Sequence, residues 1–476
     1  MRLAIALLAA LVALAVATAG APAKGHQVLR VGKNGNYKTI QCAVKAAKPG
    51  DWILIAPGDY KETVRIKTDN LHVRGMNRNK VVIDGTKSGK ACSPKPSDQN
   101  LKRGDNGNGI EVFKADGVTI DNLTACNFLG EGNQIWWNGG DGTGKIGMNS
   151  WYGSYLSATS TFFNPKKPFA KYGIFISNAR GPGSLTDSYG SNMEDSSFYV
   201  GACTPCNATL NRIHGQYNLD GYSGTNSSKA LVENSEFDHN TEGLTTNSQN
   251  NDDAPSPQLG STFTGNFVHD NNNASAPQSK GSLHIVGSGM VIPGGRNNVV
   301  KNNRFERNAA WGMLLVPFID VGKPPKVAHC QGGTATKNKD GTTTCFFDDF
   351  NNEVAGNVFN ANGFFGNPTN GDVGDVSGQN DLANCWHDNT RKDGSALSAS
   401  PSDLLTTNAV CGQPGHGADI TSELAGQVLC NTELLSKCKK DATHNYPRPK
   451  GVLLAKLPHL KTMPNPCQGV PKNPWC

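Results

Sequence analysis

The stretch YGIFISNARGPGSLTDSYGSNMEDSSFYVGACTPCNATLNRIHGQYNLDGYSGTNSSKALVENSEFDHN, Tyr172 to Asn240, repeats itself at a fixed interval. Gly173-Ile174, Ser197-Phe198 and Gly221-Tyr222 open three successive units, and Ile174, Phe198 and Tyr222 are each 24 residues apart. Tyr189, Ile213 and Phe237, later in the same units, keep the same interval of 24. A period in the twenties made of short apolar pieces, without long amphipathic helices, predicts a solenoid of strands.

Working outward, the repeat reads as an apolar residue, Asn three on, apolar five on, Asn eight on, then Gly-apolar. Val300, Asn303, Phe305, Asn308 and Gly312-Met313 follow it fully, as do Val354, Asn357, Phe359, Asn362 and Gly363-Phe364. Val232, Ser235, Phe237, Asn240 and Gly243-Leu244 follow it with one substitution, and Phe263, Asn266, Val268, Asn271 and Gly289-Met290 with an inserted loop. Ala208, Asn211, Ile213, Gln216 and Gly221-Tyr222 read as a further copy, and Asn384, Trp386 and Asn389 belong to the last. The apolar positions point inward and stack on their equivalents about 4.8 Å away in the next coil. A buried Asn carries donor and acceptor, so Asn stacked on Asn satisfies turn backbone and neighbour together. The spacing predicts such a ladder through Asn266, Asn303 and Asn357.

Composition agrees with an all-β chain. The 476 residues include 55 Gly and are only 37% hydrophobic, which suits many short strands joined by tight turns. Arg2 followed by the apolar run Leu3–Ala17, with Ala17-Thr18-Ala19 as a small-x-small site, reads as a secretion leader over 1–19. The β-helix is expected over 20–390 and a disulfide-rich tail, capping or wrapping the C-terminal coil, over 391–476. No later segment is long and apolar enough to span a bilayer, so the mature protein is expected outside the cell, as a monomer. Thirteen cysteines fit an oxidising compartment. Cys330 and Cys345 are expected to staple a polar loop, and the odd count leaves at least one thiol without an intrachain partner. Net charge is +6, a mild preference for acidic polymers, and no basic stripe or recognition helix points to nucleic acid.

At the N-terminal end, Gln27–Val31 reads as a strand and Thr39–Ala47 as a short helix stopped by Pro49-Gly50, whose apolar face (Ile40, Ala43, Ala47) covers the open end of the stack. Strands follow at Trp52–Ala56, Thr63–Ile66, Leu71–Arg74 and Val81–Ile83.

The repeat resembles that of right-handed parallel β-helix proteins of the pectin-lyase-like superfamily. The segment Thr39–Ile66 (TIQCAVKAAKPGDWILIAPGDYKETVRI) is similar to that superfamily's opening, a capping helix leading into a GD…PG-Y-E strand turn. The resemblance implies a right-handed β-helix over roughly Gln27–Asn389. It leaves activity open, since the fold hosts lyases, hydrolases, esterases, epimerases and non-catalytic proteins. The ordered motifs of polygalacturonase-like hydrolases are absent: Arg65-Ile66-Lys67 comes before Asp252-Asp253, Gly415-His416-Gly417 lies beyond the last repeat, and Asn-Thr-Asp is missing. Esterase motifs, the epimerases' Asp-Pro-His-Asp and the lyases' Arg-rich Pro motif are also missing. Calcium is the cation that lyases of this fold use, and no ligand spacing here fixes one.

The residue after each inward aromatic should face out. In coil order these are Gly190, His214, Asp238, His269, Glu306, Asn360 and His387. His214, Asp238, His269 and Glu306 would then sit about 5 Å apart in four consecutive coils, a set able to move protons or hold a cation. A solvated polar face looks the same. Thr143–Lys171, Asn272–Gly287, Gln249–Gly260 and Pro317–Phe350 read as loops inserted beside this scaffold. Trp136, Trp137, Trp151 and Tyr152 in and before the first are candidates to stack on sugar faces, or else pack the loop down. These features favour an exported, polysaccharide-active protein, a lyase or epimerase on an acidic glycan. The rival is a non-catalytic surface or adhesion-type β-helix.

Overall fold

The computed structural model describes residues 26–101, 107–163, 170–277, 284–322, 330–378, 383–432, 453–454 and 456–476. The leader lies outside them. Three parallel sheets run the length of the coil. The first has 12 strands, from Val28–Val31 to Cys385–His387. The second also has 12, with Val64–Ile66 at its N-terminal edge, and the third has 11, from Gly58–Tyr60 to Thr390–Arg391. Each coil visits the first sheet, then the third, then the second, and returns one strand further along: a right-handed parallel β-helix.

The columns explain why this sequence coils. On the second sheet Ile174, Phe198, Tyr222, Leu244, Met290, Met313 and Val373 stack in register. On the first sheet Leu210, Val232, Phe263, Val300, Val354 and Trp386 do the same. All of these side chains are buried. Between first and third sheets, a residue with positive φ (Asn234, Gly265, Asn302, Gly356) reverses the chain, and the next residue turns inward. There the expected ladder is present. Asn266 N and Nδ2 donate to Asn303 Oδ1 at 2.9 and 3.0 Å, Asn303 to Asn357 at 2.9 and 3.0 Å, and Asn357 to Asn389 at 2.9 and 2.9 Å. Two further ladders line the other turns: Asn218–Asn240–Asn271–Asn308–Asn362, and Asn298–Asn352–Asn384.

The N-terminal helix is Ile40–Ala46, N-capped by Thr39. It buries Ile40, Ala43 and Val44, with Ala47 only half-covered. Glu62 accepts from the free amides of Ile40 and Gln41 at 2.9 and 3.0 Å, tying the cap to the first coil.

The first supposed insertion is not a loop. Trp151–Ser154 and Ser157–Thr159 are strands of the first and third sheets, so Thr143–Lys171 contains most of a regular coil. Pro317–Phe350 does leave the coil, as a three-stranded antiparallel ribbon of Phe318–Gly322, Thr334–Lys337 and Thr343–Phe347. Cys330–Cys345 staples it. Cys92–Cys126, Cys203–Cys206, Cys385–Cys411 and Cys467–Cys476 are the other disulfides among the described residues, and exposed Cys42 is free. Five bridges mark an oxidising compartment. Among the described residues no helix is long and apolar enough to cross a membrane.

The tail does more than cap the C-terminal coil. Helix Glu423–Asn431, N-capped by Ser422, packs against the late second-sheet strand Gly371–Ser377. Residues 456–476 run back over the N-terminal half as a strap. Arg74 holds Gln468 O at 2.7 Å, Asn79 holds Leu460 O at 2.7 Å, and Asn122 accepts from Thr462 at 2.7 Å.

Candidate functional site

Two outer faces of the coil carry chemistry. The third-sheet face holds the residues singled out by spacing, in a different register. Gln216, not His214, pairs with Asp238, and His214 pairs with Glu236 in the neighbouring row. The slip arises because the copy beginning at Ala208 really begins at Leu210. Ile213 fills the ladder slot, its amide bound by Ser235 Oγ, and Gly215 takes the inward aromatic position. Asp238, His269 and Glu306 do form one row. His214 still reaches Asp238 diagonally, its Nε2 2.5 Å from Oδ1, while His239 Nδ1 holds Oδ2.

This face is self-paired. His269 lies between Glu236 (3.1 Å) and Asp270 (2.7 Å). Glu306 is gripped by Arg304 at 2.8 Å, Arg307 at 3.2 Å and Lys392 at 3.5 Å. Burial alone would raise the Asp238 pKa, but hydrogen bonds from His214 and His239 outweigh it and hold the carboxyl well below its usual range. The bond to Asp238 raises His239. Burial opposes charge on His269, yet Glu236 and Asp270 raise it. Arg304 likewise overcomes burial to lower Glu306.

The second-sheet face is different. Trp136, Phe175 and Tyr199 occupy one outward row of consecutive strands. Trp136 stacks on Phe175 at 5.2 Å, Tyr172 on Phe175 at 4.2 Å, and Tyr199 meets both edge-on. The rings floor a groove of about 550 Å³ whose walls include Glu131, Lys171 and Asp253. Trp136 thus joins a ring platform, anchored through Nε1 to Ser177 Oγ at 3.0 Å. Trp137 and Trp151 do not: both are fully buried core residues, in contact at 5.8 Å. Alternation along Ile135–Asn138 turns Trp137 inward, and Trp151 projects into the core beside it. Tyr152 faces out from the first sheet, away from this groove.

At the groove's end Tyr172 hydrogen-bonds Asp195. Behind Asp195 the outward row Ser196, Asp220, Glu242, Ser288 crosses four consecutive strands. His284, from the Asn272–Gly287 loop, sets Nδ1 3.0 Å from Asp220 Oδ1. Burial and the neighbouring Asp220 push Asp195 up to about 6 and Glu242 up to about 8. Burial would discharge His284, but Asp220, Glu242 and Asp195 outweigh it and raise it to about 9. Carboxyl groups driven apart in pKa, beside aromatic rings, are the makings of acid–base work.

Spacing alone does not single out Tyr172, Asp195, Asp220, Glu242 or His284 as site residues. The signal was in the repeat: Asp220 and Glu242 each stand immediately before the Gly-apolar pair.

No family model matches the sequence, and no curated protein does. The solved structures it resembles include the mannuronan C-5 epimerase AlgE4 A-module of Azotobacter vinelandii (13% identity, TM-score 0.44, 76% of this chain and 88% of that one). Pectate lyase Pel9A is 13% identical with a TM-score of 0.37, over 81% of this chain and 82% of that one. Pectin methylesterase PemA from Erwinia chrysanthemi is 15% identical with a TM-score of 0.32, over 72% and 90%. All are parallel β-helices. This chain's own three parallel sheets make it a parallel β-helix. At such scores the likeness carries no argument about activity, and function must be argued from the β-helix's own groove.

Proposed function

We propose that the β-helix is an exported, polysaccharide-active enzyme that binds a glycan along Trp136, Phe175 and Tyr199 and cleaves it by proton transfer at Asp195. The ring platform is the observation that carries this reading: flat apolar rings accept the C–H faces of sugars, while their edges leave hydroxyls in water. Asp195, partly exposed, hydrogen-bonds Tyr172, a ring of that platform, and its raised pKa lets it carry a proton. It protonates the glycosidic oxygen as the C1–O bond breaks; water then adds its hydroxyl to C1, and its remaining proton returns to the carboxylate.

A lyase or epimerase acting on an acidic glycan needs cations opposite the substrate carboxylates. On the groove's walls Lys171 is outnumbered by Glu131, Asp141 and Asp253, so the local charge favours a neutral glycan despite the chain's net +6. A secretion leader over 1–19 and the disulfides fit work outside the cell as a monomer. The test is incubation with a panel of neutral and uronate-containing polysaccharides. New reducing ends without unsaturated product support hydrolysis; unsaturated uronates would restore the lyase reading. Binding without turnover across the panel would return the protein to a non-catalytic adhesion-type role.

A further inference from the structure

We propose that Asp220, Glu242 and His284, with the hydroxyls of Ser196 and Ser288, form a binding site for one divalent transition-metal ion of the zinc or manganese class. The proposal goes beyond the glycan reading and does not depend on it.

The first ground is unmet bonding. Ser196, Asp220, Glu242 and Ser288 are paired one after another in the second sheet, so their side chains leave the same side of the same row. Relative exposures are 0%, 1%, 2% and 0%. Yet Ser196 Oγ, Asp220 Oδ2, Glu242 Oε1 and Ser288 Oγ have no hydrogen-bond partner among the described residues. Buried oxygens left unpaired are costly, and four of them lined up along one row call for an occupant. Backbone accounts for only part of the set: Ile285 N donates to Glu242 Oε2 at 3.2 Å.

The second ground is geometry. One ligand atom each from Asp220, Glu242 and His284 lies within 4.8 Å of the other two. A strand row alone would give a line of oxygens. His284 arrives from outside the sheet and closes that line into a three-sided set. Two carboxylates neutralise a doubly charged ion. The imidazole nitrogen selects the class, because calcium and magnesium take oxygen shells whereas zinc and manganese accept mixed nitrogen and oxygen ligands. The serine hydroxyls are left for outer hydrogen bonds that orient the carboxylates.

The third-sheet cluster His214, Glu236 and Asp238 is a competing set of similar span. It differs in being paired already, with Asp238 held by two histidines. The buried row is the better site because Asp220 Oδ2 and Glu242 Oε1 there have no hydrogen bond to give up.

The experiment is calorimetric titration of chelator-treated full-length protein with Zn²⁺, Mn²⁺, Ca²⁺ and Mg²⁺, with thermal melts at each ion. One equivalent of Zn²⁺ or Mn²⁺ should bind and raise Tm, with at least tenfold weaker response to Ca²⁺ and Mg²⁺. His284→Ala and Glu242→Gln should each weaken binding at least tenfold, while His239→Ala leaves it intact. Ser288→Ala, a small change in a buried row, should weaken it several-fold and serves if the other variants fail to fold. Unchanged affinity in His284→Ala or in Ser288→Ala, loss in His239→Ala, or preference for Ca²⁺ would each overturn the assignment. Glycan binding at the ring platform is read separately, so failure here leaves that reading standing.

Discussion

Asp238 and Glu242 lie four residues apart in one coil and experience opposite electrostatics. Both are almost wholly buried, at 5% and 2% exposure. Asp238, on the third sheet, has a histidine on each oxygen and a depressed pKa. Glu242, on the second, has one oxygen without a hydrogen bond and a pKa of about 8. The turn geometry makes the difference. The positive-φ residues His239, Asp270 and Arg307 place long polar side chains beside the third-sheet row, and these saturate it. The second-sheet row faces His284 and Ile285, which bring one imidazole and one backbone N–H to its acids. Charge that is fully paired stabilises a fold; charge left unpaired is available for work.

The largest test of that contrast is catalytic. Asp195→Asn should reduce turnover on the responsive glycan by about 10²-fold or more, whereas Asp238→Ala should leave turnover intact and lower Tm. Loss of turnover in Asp238→Ala, with Asp195→Asn active, would move the site to the third sheet. Next in size are the paired tryptophans. Trp137→Ala should cost about 3–5 kcal/mol in denaturant unfolding through the cavity it leaves. Trp136→Ala should leave stability nearly unchanged and raise KM.

At the turn between the first and third sheets, Asn303→Ala removes one rung from a ladder and should cost about 1–3 kcal/mol; an unaltered melt would show that the rungs are decorative. The smallest effects are in pH, and they have opposite signs. The folded pKa of Glu242 is raised, so its favourable share is complete below about 4.5 and is lost as pH climbs through about 8. In chelator, Glu242→Gln should therefore gain Tm over the parent at pH 9 relative to pH 5. The folded pKa of Asp238 is lowered, so its contribution is present above about 4 and is lost as pH falls further. Asp238→Asn should lose Tm at pH 6, with the gap closing in strong acid. Equal slopes for the two variants would dissolve the comparison.

The fold was legible in the sequence because every coil repeats the same demand. Apolar residues must stack and Asn must stack, so copies such as Val300–Met313 and Val354–Phe364 announce themselves. Chemistry is not repeated from coil to coil, so spacing does not fix it. Gly215 stands where neighbouring coils put Phe237 and Phe305, so matching by apolar character chose Ile213 and moved His214 into the wrong row. The coil carrying Trp151 lacks ladder asparagines and so passed for an insertion. His284 lies on a loop outside the period, and no spacing rule links it to Asp220, 64 residues earlier. Acidic residues before Gly221 and Gly243 were visible, but only register shows that they share a row with Ser196 and Ser288.

A solenoid held only by neighbours can be assembled coil by coil as the chain is made. The strap of residues 456–476 changes that order. Its partners Arg74, Asn79 and Asn122 belong to the early coils, yet the strap follows every coil in the chain. Arg74 and Asn122 already hold Asp121 and Gly75 within the early coils, but the rest of their hydrogen bonds wait for a segment made after the whole stack. A chain cut short before the strap would keep its groove and all three asparagine ladders while lacking this seal, leaving its early coils the more open to proteases.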